Sequence, residues 1–332
     1  MNLKVYAEYY IINMFIFQII GMHKIFIIII ITCLSLCIGL ASQEAFAGKV
    51  TVGIIIPATD AFAIEAHKSF MDSISSSGLI NSIKVIEQSP QSDPIALKNT
   101  ARKLITLKAD VIVTFGTPAT MAAISEKPSM SLIYGGVYKP IHDTITRPRT
   151  FGVCINPPLS SITRYMAAAA SDTNVGILFC SNERDSTFQM EQMMRFSNMA
   201  GLTGKPIDMK ASSEVSSNLS GADVGFFFIT SSTCTYASSS AIERIASNRK
   251  IPIATLIRMQ GLNPVIAHLS NASEVGRLMA DKLNVALEGG SSTDSSVPCT
   301  SSAELIFDIG EARRLGLSMP MELVTGATKV IY

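Results

Sequence analysis

The chain is predicted to be α/β, with two doubly wound, Rossmann-like lobes in tandem and an interlobe cleft. Three observations predict this. Short β-branched runs without a helical stripe alternate with helical segments, the pattern of buried parallel strands covered by helices. The pattern occurs twice: Lys49–Ile56 (KVTVGIII) and Asn174–Phe179 (NVGILF) both carry Val-Gly-aliphatic, and each precedes a helical segment. The spacing also repeats, with 25 residues from Gly53 to Gly78 and 25 from Gly176 to Gly201. Ligands of such sheets bind beyond the carboxyl ends of the strands, so two similar lobes would share a cleft lined by post-strand loops.

Taken in order, strand Lys49–Ile56 leads into a helix over Ala61–Ser76, which ends before Gly78. Ala109–Phe115 (ADVIVTF) is the next strand, followed by a helix and strand Met130–Tyr134. The second copy has strand Asn174–Phe179, a helix over Ser186–Met199, strand Ala222–Ile229 (ADVGFFFI), a helix, and strand Ile251–Leu256. Pro128 precedes the last strand of the first copy, and Pro252 enters that of the second. Met190, Met193, Met194 and Met199 fall at near-helical spacing and read as core packing. The low-complexity stretch Gly289–Ser296 reads as a loop. Lobe 1 is expected over 48–152 plus 264–296, and lobe 2 over 153–260 plus 300–332. That requires three crossings, near Arg149–Pro157, Arg258–Pro264 and Val297–Ser302.

The 332 residues are 48% hydrophobic and 16% charged, which excludes intrinsic disorder. A mean hydropathy of +0.34 would suit a membrane protein, but much of it sits in residues 1–47. There a basic stretch around Lys24 precedes the apolar run Ile25–Leu40 and the small-x-small site Ala45-Phe46-Ala47, the layout of a secretory signal. Cleavage is expected after Ala47, with Met22 as the natural start; a retained N-terminal anchor is the alternative. The formal charge of +1, from 27 basic and 26 acidic residues, argues against nucleic acid as a partner.

Six cysteines are too few for a disulfide scaffold. Cys154, Cys180, Cys234 and Cys299 remain after the leader, in spacings that match no zinc pattern. Buried free thiols are the expectation for them; one or two bridges are the alternative, with pairing open. The nucleophile elbow, the paired-histidine zinc motif, the phosphate loop and the dinucleotide fingerprint are all missing, so no catalytic residue, metal or cofactor is expected.

The loops after the strands are polar. Thr59 and Asp60 follow the first strand; Gly116, Thr117, Pro118 and Ala119 follow the second; Tyr138 lies in the third such loop. In the second half Ser181, Asp185 and Ser186 follow one strand, Ser231, Thr233 and Tyr236 another, and Arg258 a third. Hydroxyls and free amides at helix N-termini suit a carboxylate or another anion. These 14 residues are the candidate ligand contacts.

Segments 52–75 (VGIIIPATDAFAIEAHKSFMDSIS), 109–124 (ADVIVTFGTPATMAAI), 131–141 (SLIYGGVYKPI), 174–186 (NVGILFCSNERDS), 251–258 (IPIATLIR), 265–290 and 304–331 together resemble one family. It is the substrate-binding proteins of ABC transporters, in the tryptophan/tyrosine importer-like group, with the type I periplasmic-binding-protein fold. The resemblance spans essentially the whole region after the leader. It implies a two-lobe clamp that closes on a small molecule and passes it to a membrane permease. It also implies that Thr117-Pro118-Ala119 and Asp185-Ser186 are the leading ligand contacts. The chain departs from the family at Tyr138-Lys139-Pro140, where Thr-Asp-Pro is common, and at Ser231-Ser232, where Asp-Asn is common. Asp60, Glu183 or Asp185 would then receive an ammonium, while Lys139 would favour an anion. The expected protein is a monomeric, exported, amino-acid-binding component of an importer, not an enzyme. A sensory binding protein for a membrane receptor and an exported α/β enzyme are the alternatives.

Overall fold

The computed structural model describes residues 49–332 apart from 59, 211–214, 291–298 and 301. The expected leader and start, Thr59, and residues 291–296 of the low-complexity loop therefore lie outside the described residues. Among the described residues no helix is long and apolar enough to cross a membrane.

The chain enters through β1 (Val50–Ile55), α1 (Ala61–Ser76), β2 (Ile83–Gln88), α2 (Pro94–Thr106) and β3 (Val111–Phe115). It continues through α3 (Thr117–Ser125), β4 (Ser131–Tyr138), the short α4 (Lys139–His142) and β5 (Thr150–Ile155). With β11 (Cys299–Thr300) these strands form a six-stranded parallel sheet in the order β11-β5-β4-β3-β1-β2. Alternate residues of its strands feed opposite faces, the consequence of a side-chain period of two. Ile54 and Val113 pack under α1 with Phe70 and Ile74, while Ile55 and Ile112 pack against Leu97 and Leu104 of α2. Both helices start on a side-chain cap. Asp60 accepts the amides of Phe62 and Ala63, and Asp93 those of Ile95 and Ala96.

The second lobe runs through α5 (Leu159–Ala169), β6 (Asn174–Phe179), α6 (Arg184–Met199), β7 (Thr203–Asp208), α7 (Val215–Ser220) and β8 (Phe226–Ile229). α8 (Thr233–Ala237), α9 (Ser239–Arg249), β9 (Ile253–Thr255) and β10 (Ile266–Ser270) follow. Then α10 (Ala272–Leu287) returns to pack Val275 and Met279 into the core of the first lobe. After β11, the chain closes with β12 (Ala303–Asp308), α11 (Ile309–Leu315), α12 (Met321–Val324) and β13 (Lys329–Ile331). The second sheet has seven strands in the order β13-β12-β10-β9-β8-β6-β7, all pairs parallel except β10 with β12. The glycine of each repeat has one job: Gly78 and Gly201 both take positive φ, +76° and +79°, just past the ends of α1 and α6.

Three expectations need correction. The second crossing does not fall at Arg258–Pro264. Residues 266–270 stay in the second sheet, paired with β12 from Ile266↔Phe307 to Ser270↔Ala303, so the chain crosses at Asn271 and lobe 1 does not reach back to 264. The other crossings lie between Ile155 and Leu159 and between Thr300 and Ala303. The four cysteines are bridged: Cys154–Cys299 and Cys180–Cys234, with Cα atoms 4.5 and 5.9 Å apart. The physical reason is adjacency, since Cys154 and Cys299 are register partners on β5 and β11, and Cys180 and Cys234 follow the neighbouring strands β6 and β8. Met193 is core, but Met199 at the end of α6 is 77% exposed.

Candidate functional site

The strand C-termini of both sheets meet around a cavity, and four hydroxyl or carboxyl side chains span it. Asp60 caps α1 with Oδ1, which accepts from Phe62 N at 3.0 Å and Ala63 N at 3.2 Å. The same oxygen accepts the hydroxyl of Tyr236, from α8 in the other lobe, at 3.1 Å. Burial lifts the Asp60 carboxyl above its ordinary value, against the pull of these donors. Burial and the Asp60 charge hold the Tyr236 phenol well above its own, so it remains the donor.

A second pair joins the lobes from the opposite sides. Thr117, at the first turn of α3 in lobe 1, and Asp185, at the first turn of α6 in lobe 2, both line the cavity, and the Thr117 hydroxyl favours the charged form of the Asp185 carboxyl. Thr117 Oγ1 also accepts from Tyr138 N at 3.4 Å. Asp185 is 5% exposed, and its carboxyl is pushed up to about 7, first by burial and then by the charge of Glu183. Glu183 Oε1 accepts from the amide of Thr233 at 2.8 Å and from its hydroxyl, and burial raises this carboxyl too. Gln189, one turn after Asp185 on α6, accepts from Ser231 N at 3.0 Å. The Tyr138 ring meets Phe188 edge-on, with centroids 6.2 Å apart, and packs into the core of the second lobe.

The enclosed space is small. About 50 Å³ is open to the centre of a water molecule, a few times the roughly 10–15 Å³ that holds one water. Phe62, Leu97, Ile155, Leu256 and Ile257 form its apolar walls, and Asp60, Asp185, Gln189, Ser231 and Tyr236 its polar ones. Gly136 has φ +73°, and a Cβ there would run into the Phe62 ring. Its lack of a side chain lets that ring line the cavity.

Of the expected contacts, Asp60, Gly116, Thr117, Pro118, Tyr138, Asp185, Ser231, Thr233 and Tyr236 line the cavity. Thr59 lies outside the described residues. The other four sit elsewhere. Ala119 is fully buried in the core beneath α3. Ser186 is also fully buried; it accepts from Cys180 N at 2.9 Å and pairs with Thr230 at 2.7 Å, so it supports the rim from below. Ser181 is exposed, its amide bonded to Asp208. Arg258 lies 3.6 Å from Glu304 in an adjoining groove that shares Phe62, Leu256, Ile257 and Ser270 with the cavity, and does not line the cavity itself. Lys139 pairs with Asp143 at 3.0 Å on the surface and does not line the cavity.

Phe62 and Gln189 escaped the sequence reading. Each carried a signal, Phe62 two residues after the capping Asp60 and Gln189 four after Asp185 on one helix face. Among the described residues, Cys180, Glu183 and Cys234 offer ligand atoms within 4.8 Å of one another. Both sulfurs are spent in the bridge, so the group does not fit a metal.

The family model described as ABC transporter substrate binding protein matches residues 49–331. No curated protein matches the chain. Among solved structures, it is similar to a domain from Streptococcus pneumonia in complex with L-Trp, at TM-score 0.76 and 17% identity, covering 84% of this chain and 100% of that one. It is similar to a conserved domain protein from Vibrio cholerae at TM-score 0.77 and 14% identity, covering 85% and 99%. The ligand-free, open substrate-binding protein with adhesive properties from Clostridium difficile matches at TM-score 0.62 and 16% identity, covering 85% and 98%. At these identities the likeness carries the type I periplasmic-binding-protein fold.

Proposed function

The chain belongs to the ABC transporter substrate-binding protein family, and on that premise we propose that it is the exported solute receptor of an ABC importer. It captures a small, amino-bearing molecule, amino-acid-like in that respect, between its lobes and delivers it to a membrane permease. Residues 1–47 serve as the export signal, cut after Ala47, and the mature protein works outside the cytoplasm as a monomer.

The observation that carries this reading is the hydrogen bond that joins the two lobes across a cavity lined by both. Tyr236 of lobe 2 donates to Asp60 of lobe 1, and Thr117 of lobe 1 and Asp185 of lobe 2 line the same cavity. Groups from both lobes contact each other only when the lobes are together, so a ligand seated among them favours closure through contacts absent from an open form. Buried carboxyls at that point favour a ligand with a positive group. Asp60, Thr117, Tyr138, Asp185, Ser231 and Tyr236 are the proposed contacts, joined by Phe62 and Gln189.

Mass spectrometry of the compounds that co-purify, followed by thermal-shift screening of amino acids and related metabolites, tests the reading. A ligand held well above its dissociation constant raises the melting temperature. Thr117→Ala should weaken that ligand. A protein stabilised by no small molecule, or a Thr117→Ala variant that binds as wild type does, would sink the reading.

A further inference from the structure

The lobe 2 half of the cavity is built from two chain segments. One follows β6 and carries Asp185 and Gln189; the other follows β8 and carries Ser231, Thr233 and Tyr236. Side chains stitch the two together. Gln189 accepts from Ser231 N at 3.0 Å, Ser186 pairs with Thr230 at 2.7 Å, and Glu183 takes the amide of Thr233 at 2.8 Å. A further stitch is covalent: the bridge Cys180–Cys234, between positions 54 apart in sequence. Cys154 and Cys299 are residues that a β-ladder already pairs. Cys180 and Cys234 both lie beyond the ladder of β6 with β8, which ends at Leu178↔Ile229.

The bridge sits where the geometry is most exacting. α8 has five residues, Thr233–Ala237, too few to hold a helical shape unaided. Cys234 is its second residue and Tyr236 its fourth. At 3.6 residues per turn the two leave the helix about 200° apart. Cys234 is tied back to the end of β6, and Tyr236 reaches across to Asp60 of lobe 1. The Tyr236 hydroxyl meets Asp60 at 3.1 Å, the long end for such a bond, so a shift of about 0.5 Å would break it. A disulfide keeps its two Cα atoms within a narrow span, here 5.9 Å. The hydrogen bonds beside it each contribute little net and open more readily.

We propose that Cys180–Cys234 is a positioning bridge for the binding site. It fixes α8 on the end of β6, holds Tyr236 where its hydroxyl closes on Asp60, and so sets ligand affinity as well as stability. This rests on the clamp reading and names the covalent tie that keeps half of the site in shape before a ligand arrives.

A double-mutant cycle separates this role from general support of the fold. Calorimetry on the dialysed wild type, with the common L-amino acids, their amides, short aliphatic amines and neutral sugars, finds the tightest binder, which serves as the probe. Tyr236→Phe, Cys180→Ser/Cys234→Ser and all three changes combined are then measured with it. With the bridge intact, Tyr236→Phe should weaken the probe about threefold to tenfold. Removing the bridge should weaken it at least as much, and Tyr236→Phe in that background should add less than about twofold. Leu283→Ala, in the lobe 1 core on α10, is the control. It loses stability through a cavity, yet should leave the Tyr236→Phe effect whole. Cys180→Ala/Cys234→Val repeats the cycle if the serine pair does not fold, since it buries no new hydroxyl. A bridge-free protein that binds as wild type does, or in which Tyr236→Phe costs its full factor, would overturn the positioning role and leave the clamp standing. A wild type that binds no compound, with nothing small co-purifying, would bring down both.

Discussion

Replacing Asp185 by Asn should ease closure of the ligand-free clamp at neutral and alkaline pH. With the lobes together the Asp185 carboxyl is 5% exposed and pushed up to about 7, mainly by burial and then by Glu183. Once the lobes part and water reaches it, the group returns toward its ordinary 3.8. The closed form then holds a proton that the open form has lost, across the window from about pH 4 to about pH 7. Closure without ligand is thus most favourable below that window, weakens as pH rises through it, and levels off above. Each pH unit is worth about 1.4 kcal/mol, so the window amounts to roughly 4 kcal/mol, or about a thousandfold in the closing equilibrium. That is an upper bound for the variant, because the new amide NH2 needs an acceptor of its own. Small-angle scattering of ligand-free protein between pH 4 and 8 reads the effect as a change in radius of gyration. Wild type should open as pH rises, and Asp185→Asn should open less over the same range, with what remains coming from the Asp60 and Glu183 carboxyls that burial also raises. A flat profile for wild type, or identical profiles for the two proteins, would refute the assignment of Asp185 as the charge that resists closure.

Three further outcomes are expected. Tyr236→Phe removes the hydroxyl that reaches Asp60 across the cavity, and should weaken the co-purifying ligand about threefold to tenfold by calorimetry, the worth of one hydrogen bond. Ser186→Ala leaves Cys180 N and Thr230 short of a buried partner. It should cost roughly 1–3 kcal/mol in denaturant melts while leaving ligand affinity nearly unchanged. Replacing Cys154 and Cys299 together by serine removes a link between positions 145 apart. It should cost about 2–5 kcal/mol of stability, and reductant should lower the wild-type melting temperature in the same direction.

The repeat made the fold legible. Val-Gly-aliphatic strands and their spaced glycines placed β1, α1, β6 and most of α6, because buried parallel strands and capped helices are local patterns. The assignment of β10 was not legible. Val265–Leu269 reads as a strand in either lobe, and only its antiparallel partner β12, from far along the chain, decides which. At the site, capping acids and post-strand hydroxyls were visible as turn chemistry, and nine of the 14 expected contacts line the cavity. Sequence does not say which polar residue of a loop faces in. Ser186 and Asp185 are neighbours, yet one lines the cavity and the other props the strand ends behind it. Leu97, Ile155 and Leu256 look like any core residue, because cavity walls and cores share one composition. The cysteine pairs needed the sheet order, which no spacing supplies.

A clamp must hold one small molecule per chain and close on it. Native mass spectrometry of the purified protein, joined to scattering before and after the bound compound is dialysed away, measures both. The expected result is one small amino-bearing adduct per chain, with a radius of gyration that rises on its removal and falls on its return. A chain that carries nothing small, and keeps the same radius of gyration with every amine, amino acid and sugar offered, would contradict the clamp.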